Sequence, residues 1–433
     1  MSFWARAAVA APGPAGGAAV GTGAMAACLI LALVNLLNYY DRMLVVVVSQ
    51  PLREAFSLTD TQYGLLTGPA FVIVYAVSSL VFGWLADRRS RKTVIAVALA
   101  AWSIMTALCG LARDFPMLAL ARAGVGVGEG GSNPAGMSLL SDHFPPAKRP
   151  MALGLFAAGG MVGLFLSFVV GSWIGANFGW RAVFLVAGIP GILLSLAVIL
   201  WVKEPARGRF ESAPPRRLSY ASSLKLLAGN RAYIWLCIAA SLGVFSSLGM
   251  MIWLPQFFIR THGLGLQQVG LFFGPAAALG LLAGMIAGSW AGNRLSARSL
   301  HRPIVLCVVA NLLLPPLYLM VLWTSSLPLA LAGTFVAMAL SVLYAPAFQA
   351  SMQNVCDPDV RATGAAVSNV LNGVVGQGLL PLFVGMMSDA LIAPAGSEAL
   401  RWALSIATVF ILASGLLFIK ALGETRRHFS SEG

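Results

Sequence analysis

Apolar stretches of about 20 residues or more, the length that crosses a hydrocarbon core, recur along this chain and are separated by short loops rich in arginine and lysine. A backbone buried in lipid must satisfy its own polar groups, so such stretches fold as helices. Twelve are predicted, at roughly 24–50, 61–86, 93–112, 115–141, 149–176, 180–202, 232–259, 267–291, 303–323, 327–353, 362–390 and 399–422. Composition agrees: 58% of the residues are hydrophobic, 10% are charged, and the mean hydropathy is +0.83. The expected fold class is an all-α integral membrane protein.

Charge placement orients the helices. With the N-terminus inside, 21 of the 28 Lys and Arg residues fall on the cytoplasmic side; only Arg53, Arg113, Arg181, Arg260 and Arg401 fall outside, and Arg42 and Arg122 lie within helices. The positive-inside rule therefore places both termini in the cytoplasm. A net charge of +13 would suggest nucleic acid in a soluble protein. Here topology and anionic lipid headgroups account for it, and no nucleic-acid partner is expected.

The five cysteines, Cys28, Cys109, Cys237, Cys307 and Cys356, are odd in number and scattered, so neither a disulfide framework nor a metal site follows. The histidines, His143, His262, His301 and His428, fall in loops or the tail. No metal or cofactor is expected, and an intramembrane enzyme would lack its base. Residues 1–23 are rich in Ala, Gly and Pro, lack the apolar core of a signal peptide, and read as a disordered cytoplasmic tail.

A Pro-rich basic connection over 203–230 separates the sixth and seventh spans. It divides the chain into a six-helix bundle at 24–202 and another at 231–422, with a short cytoplasmic tail at 423–433. The halves resemble each other: Gln62, Gly64, Leu65, Gly68, Pro69 and Trp84 match Gln268, Gly270, Leu271, Gly274, Pro275 and Trp290, each 206 residues later, and Pro134 and Arg149 match Pro346 and Arg361 at 212. Twelve transmembrane helices in two related six-helix bundles form the architecture of transporters with a substrate site near the midplane.

Gly83 to Lys92 reads GWLADRRSRK. It resembles the signature loop of the major facilitator superfamily. Asp87, at a helix end, is suited to hold arginine guanidiniums in a fork. The resemblance implies a gating latch on the cytoplasmic side made by Gly83, Asp87, Arg88 and Arg91, with Asp142 and Arg149 as candidates to complete it. The second half has Asn293 where Asp87 would fall, so its latch is degenerate.

Four charges sit where lipid would penalise them. Asp41 and Arg42 are adjacent in the first span and project about 100° apart; at least one faces the central cavity. Arg122 and Glu129 in the fourth span are seven residues apart, on one face and about 10.5 Å apart along the axis. Asn133 continues that face, and Pro134 loosens the helix beside it. A buried carboxyl near an apolar wall holds its proton more tightly than one near an arginine. Asp41 and Glu129 are therefore candidate proton carriers, and Arg42 and Arg122 candidate hooks for a phosphate or carboxylate. In the second half the corresponding spans offer Ser246, Ser247, Trp253, Gln256, Tyr344, Gln349, Ser368, Asn369, Asn372 and Gln377, of which Tyr344 and Asn372 are taken as substrate contacts with Asn133.

NLLNYYDR at 35–42, GWLADRRSRK at 83–92, RAGVGVGEGGSNPA at 122–135, SDHFPPAKR at 141–149 and VKEPARG at 202–208 together resemble the Spinster family of lysolipid and sphingosine-1-phosphate transporters. The resemblance implies a bacterial inner-membrane protein that carries an amphipathic lipid such as sphingosine-1-phosphate, sphingosine or a lysophospholipid by alternating access. It also implies proton coupling through Asp41 and Glu129, and headgroup recognition by Arg42 and Arg122. Protons and membrane lipids are the other expected partners, and a monomer is expected. The alternative is a proton-coupled carrier of a small organic anion.

Overall fold

Every apolar run folds as helix, because within a bilayer only bonds inside the segment satisfy the backbone. The structure is a computed structural model that describes residues 22–145, 148–207, 220–357 and 360–431, and no strand occurs among them. Residues 1–21 of the expected tail and 208–219 of the expected linker lie outside the described residues.

In the first half, α1 (Thr22–Val47) leads into a short α2 (Ser49–Phe56). Next come α3 (Asp60–Thr67) and α4 (Pro69–Arg88), one leg broken at Gly68, then α5 (Arg91–Gly110). The fourth leg is also broken, into α6 (Phe115–Glu129) and α7 (Ser132–His143). The fifth comprises α8 (Arg149–Leu166), a π-turn at Ser167–Gly171 and α9 (Ser172–Phe178), and α10 (Trp180–Trp201) is the sixth. The linker carries a helix of its own, α11 (Tyr220–Gly229).

The second half begins with α12 (Arg231–His262). Its next leg is α13 (Leu266–Gln268), a π-turn at Val269–Phe273 and α14 (Gly274–Ser296). Then follow α15 (Ile304–Trp323) and the broken pair α16 (Leu327–Leu343) and α17 (Ala345–Val355). The last two legs are α18 (Arg361–Leu371) with a π-turn at Asn372–Gly378 and α19 (Leu379–Ala395), and α20 (Ala399–Ser431).

Ten of these stretches are long and apolar enough to cross a membrane. The last, Thr363–Ser430, turns back at Gly396–Glu398 and supplies two legs, while α6 with α7 supplies one more that is interrupted at Gly130 and Gly131. Twelve legs result, at the predicted places. The expected C-terminal tail is helical as far as Ser431, since α20 runs on without a break.

Within the first half α5 packs on α10 and α6, and α1 on α8; within the second, α20 packs on α12 and α15, and α14 on α16. The sequence repeat is repeated in hydrogen bonds. Arg149 Nε donates to the carbonyls of Ser141 and Phe144 at 2.9 and 3.3 Å, and Arg361 Nε donates to those of Gln353 and Cys356 at 3.0 and 3.2 Å. Each arginine thus caps the end of the preceding helix, eight and five residues back. Gln62 and Gln268 each accept from the backbone N–H three residues earlier, at 3.0 and 2.9 Å. Arg88 stacks on Trp84 at 4.2 Å, and Arg294 on Trp290 at 4.4 Å.

The halves meet along two seams. In one, α3 lies against α19; in the other, the π-turns at Ser167–Gly171 and Val269–Phe273 lie against each other, with Phe168 and Phe273 edge to face at 5.3 Å. Both seams need glycine. A Cβ on Gly64 would fall inside contact distance of the Pro381 carbonyl, and one on Gly270 would fall 2.5 Å from the Phe168 carbonyl. Gly64→Ala is expected to destabilise this arrangement by about 1–3 kcal/mol, the cost of overpacking a close contact. An unchanged thermal melting midpoint in detergent, with unchanged cross-linking between α3 and α19, would show that the seam can absorb a methyl group.

Candidate functional site

The break in the fourth leg falls immediately after Glu129, at Gly130 and Gly131, so Glu129 is the last residue of α6. Its side chain is fully buried. Arg42, from α1, donates to Glu129 Oε2 through Nη2 at 2.9 Å and Nε at 3.2 Å, and to Asn38 Oδ1 at 3.4 Å. The guanidinium of Arg42 lies 4.9–5.4 Å from the rings of Tyr39, Phe71 and Tyr75, an aromatic cage of the kind that holds a cation where water is scarce.

Arg122 lies behind this pair. It donates to the backbone carbonyls of Arg42 at 2.8 Å and Asp41 at 3.4 Å, and its guanidinium covers Phe71 at 4.4 Å. Asp41 points away from Arg42, as their angular separation requires: its Oδ2 accepts from Thr106 on α5 at 3.3 Å. Asp41 Oδ1 and Glu129 Oε1 have no hydrogen-bond partner among the described residues.

Arg42 also faces a cavity of about 700 Å³ between the halves. Of the residues expected to contact substrate, Arg42, Asn133, Tyr344 and Asn372 line it, with Gln349, Asn369 and Gln377. Arg122 does not. It reaches a void of about 50 Å³ behind Phe71, which Arg42 and Gln377 share with the larger cavity. Asn372 accepts from Ser241 at 2.9 Å. Asn372 and Gln377 lie in the π-turn of Asn372–Gly378, a distortion that recurs at functional sites. Apolar wall comes from Phe71, Tyr75, Met137, Val244 and Phe348; Leu80 on α4 and Val370 on α18 also line the cavity and are 66% and 43% exposed. The side chains of Ser246 and Ser247 lie outside the described residues.

At the basic-loop end, Arg91 is 1% exposed and binds Asp142 of α7 and Glu204, which follows α10; Arg91 Nε meets Glu204 Oε1 at 2.7 Å. Lys92 N–H and Ser90 Oγ also donate to Glu204, at 3.0 and 2.9 Å. Arg149 is not part of this cluster, being occupied with the helix-end carbonyls. Asp87 is exposed and makes no hydrogen bond or ion pair among the described residues, and a side chain at Gly83 would meet open space. The cluster joins elements of one half only.

Burial disfavours the charged form of Glu204, but the Lys92 N–H, Arg91 and Ser90 outweigh it and hold the carboxyl below the usual glutamate range. A depressed carboxyl contributes stability above its unfolded pKa of about 4.3 and loses it as pH falls through the folded value. Glu204→Gln is therefore expected to lower the melting midpoint at neutral pH, and the gap from wild type should shrink as pH falls from about 4.3 through the folded value. A gap that persisted there would mean that Glu204 acts through packing.

At the opposite end, Asp60 joins the halves. It is 2% exposed and accepts from Arg53, from Arg260 Nη1 and Nη2 at 2.9 and 2.7 Å, and from Ser388 Oγ at 2.6 Å. Asp389 accepts from the N–H groups of Asp60 and Thr61 at 3.0 and 2.8 Å. Gln256 donates to Ser49 at 2.7 Å, and Trp253 to the Pro381 carbonyl at 3.1 Å. Those two polar side chains thus close the cavity's far end rather than line it.

A sequence profile of the Major Facilitator Superfamily matches residues 31–381. The chain belongs to that superfamily. Among its relatives in this superfamily are an MFS-type efflux pump of Mycolicibacterium smegmatis, 30% identical over 94% of this chain and 95% of that protein, and the sphingosine-1-phosphate transporter SPNS2 of Danio rerio, 26% identical over 90% and 82%. A crystal structure of a bacterial homologue of the human lysosomal transporter Spinster, inward-facing and unoccupied, superimposes with a TM-score of 0.86 at 27% identity over 94% of this chain and 98% of that one. The facilitator fold and the Spinster likeness drawn from NLLNYYDR and GWLADRRSRK are thus both shown. Sequence reasoning missed three carboxylates: Asp60 and Asp389, which join the halves at one end, and Glu204, which ties α5 to the segment after α10 at the other. Their one local signal was Thr59 and Gln62 bracketing Asp60 as a helix start.

Proposed function

We propose that this facilitator is a proton-coupled carrier of an amphipathic, anionic lysolipid-like substrate, working in the inner membrane by alternating access. The observation that carries this reading is Arg42, which is held by Glu129 on one side and faces the cavity on the other. A proton on Glu129 would free the guanidinium for an anionic headgroup, and loss of the proton would reclaim it, so headgroup and Glu129 carboxylate compete for one cation. The unpartnered oxygens of Glu129 and Asp41 supply places for a proton. Apolar wall opposite the amides suits an alkyl chain, and the exposed Leu80 and Val370 support its passage between α4 and α18. The positive-inside count supports a cytoplasmic placement of the basic-loop end and of both termini. On that orientation the cavity faces inward, and the latch around Asp87 is disengaged.

The amides Gln349, Asn369, Asn372 and Gln377 favour a second reading, a carrier of a small organic anion such as a sugar acid. Flux of labelled sphingosine-1-phosphate across proteoliposomes, with and without a pH gradient, separates the two. Gradient-dependent lipid flux is expected. Loss of one charge-assisted hydrogen-bond donor costs about 1.5–3 kcal/mol, so Arg42→Ala should weaken binding of sphingosine-1-phosphate by about tenfold or more, and that of unphosphorylated sphingosine far less. Equal losses for both lipids would reduce Arg42 to a packing residue; transport of a sugar acid without lipid flux would establish the second reading.

A further inference from the structure

Five arginines lie at the end of the bundle opposite the basic loops, where cations are scarce. Three are matched by acids: Arg53 and Arg260 hold Asp60, and Arg401 holds Glu398. The other two, Arg113 and Arg181, have no carboxylate partner among the described residues and are neighbours. Arg181 Nη2 donates to the carbonyl of Ala112 at 3.3 Å, beside Arg113, and its guanidinium stacks on Trp180 at 4.3 Å. Both are exposed and line a crevice of about 600 Å³ where the ends of α5, α6 and α10 meet, walled otherwise by Leu111, Met117 and Leu185. Asp114, the nearest acid in sequence, is taken up as the N-cap of α6, accepting from Met117 N–H at 2.8 Å. The floor is Gly110, whose Cβ would lie 2.7 Å from the Arg181 carbonyl. From this crevice an exposed apolar stripe runs along α10 through Leu185, Ile189, Leu193 and Leu196, one face of the helix at spacings of four, four and three.

We propose that the crevice between Arg113 and Arg181 binds the phosphate of an anionic bilayer phospholipid, one acyl chain of which lies along the α10 stripe. Two unmatched guanidiniums above an apolar track complement a lipid of this kind in both charge and shape. A soluble anion would use the guanidiniums and gain nothing from the track. The site lies away from the central cavity and does not depend on what that cavity carries.

Native mass spectrometry of the full chain, purified with equimolar phosphatidylglycerol and phosphatidylcholine of identical acyl chains, tests this. The wild type is expected to retain phosphatidylglycerol in preference. Each arginine removed should lower that retention about fivefold, in Arg113→Gln and further in the Arg113→Gln/Arg181→Gln pair, with rescue by lysine at both positions. Arg113 makes no hydrogen bond or ion pair among the described residues, so the single variant carries the test where the double one misfolds. Equal retention of the two lipids by the wild type, or wild-type retention in Arg113→Gln, would overturn the proposal. Displacement of the lipid by millimolar inorganic phosphate would overturn the lipid as occupant in favour of a free anion.

Discussion

Glu129→Gln is expected to abolish uptake driven by a pH gradient, by about two orders of magnitude or more, while exchange of substrate across the membrane at equal pH continues. Glutamine keeps the volume and can still accept from Arg42, but it carries neither the charge nor the exchangeable proton. Removing one member of a buried pair exposes the other to a cost of about 3–5 kcal/mol. Here the cavity beside Arg42 lets an anionic headgroup take the vacant role. Substrate should therefore bind at least as tightly as to wild type and leave more slowly, a fall in turnover rather than a rise in KM. Asp41→Asn should also stop gradient-driven flux, without tighter binding, because Asp41 bonds Thr106 and not Arg42. The measurement is paired flux and counterflow in proteoliposomes. Wild-type gradient-driven flux in Glu129→Gln would falsify the proton role.

A second large effect is expected at the far end. Asp60→Asn removes the carboxylate that both Arg53 and Arg260 hold and leaves the two guanidiniums with Asp389 as the nearby negative charge. At about 3–5 kcal/mol for a broken buried pair, the balance between the form closed at that end and the form open there should shift by about 10²–10⁴-fold. Spin labels at the exposed residues Ala55 and Ser397, one in each half, report the separation. The variant should show a longer main distance than wild type in the absence of substrate. Identical distance distributions would mean that the glycine seam, and not the charge cluster, holds this end shut.

What could be read from the chain follows from how far each interaction reaches. The helices are local: a run of apolar residues needs no distant partner to become one, and all twelve were legible. The repeat was legible from Gln62, Gly64, Leu65, Gly68, Pro69 and Trp84 and their partners 206 positions on; the breaks at Gly130 and Gly131 and at Tyr344 stand just before its aligned prolines, Pro134 and Pro346. Arg42, Asn133, Tyr344 and Asn372 were legible as residues that line the cavity, because polar side chains in apolar helices have few other places to go. Arg122 was misjudged in position, since heptad spacing fixes the face it shares with Glu129 but not the ring of Phe71 that stands between it and the cavity. The Asp60 cluster was not legible. Its members stand about 200 and 330 positions apart at helix ends, where an isolated acid looks like any loop residue. Of the residues read as a latch, Asp142 and Arg91 do meet, but within one half, and Arg149 is claimed by carbonyls that a sequence does not display.

The two seams between the halves differ in kind. Along α3 and α19 the close glycine contacts are bolted further by carboxylates, hydroxyls and guanidiniums; along the facing π-turns the contact rests on glycine backbones and the Phe168 and Phe273 rings. Loss of one charge weakens the first and leaves the second untouched. The halves are thus joined like a door, with a hinge on one edge and a bolt on the other. Loss of the Asp60 charge draws the bolt without loosening the hinge, so in that variant the first gap expected on that face lies between α3 and α19, and the expected motion is a swing about one edge rather than an even parting of two blocks.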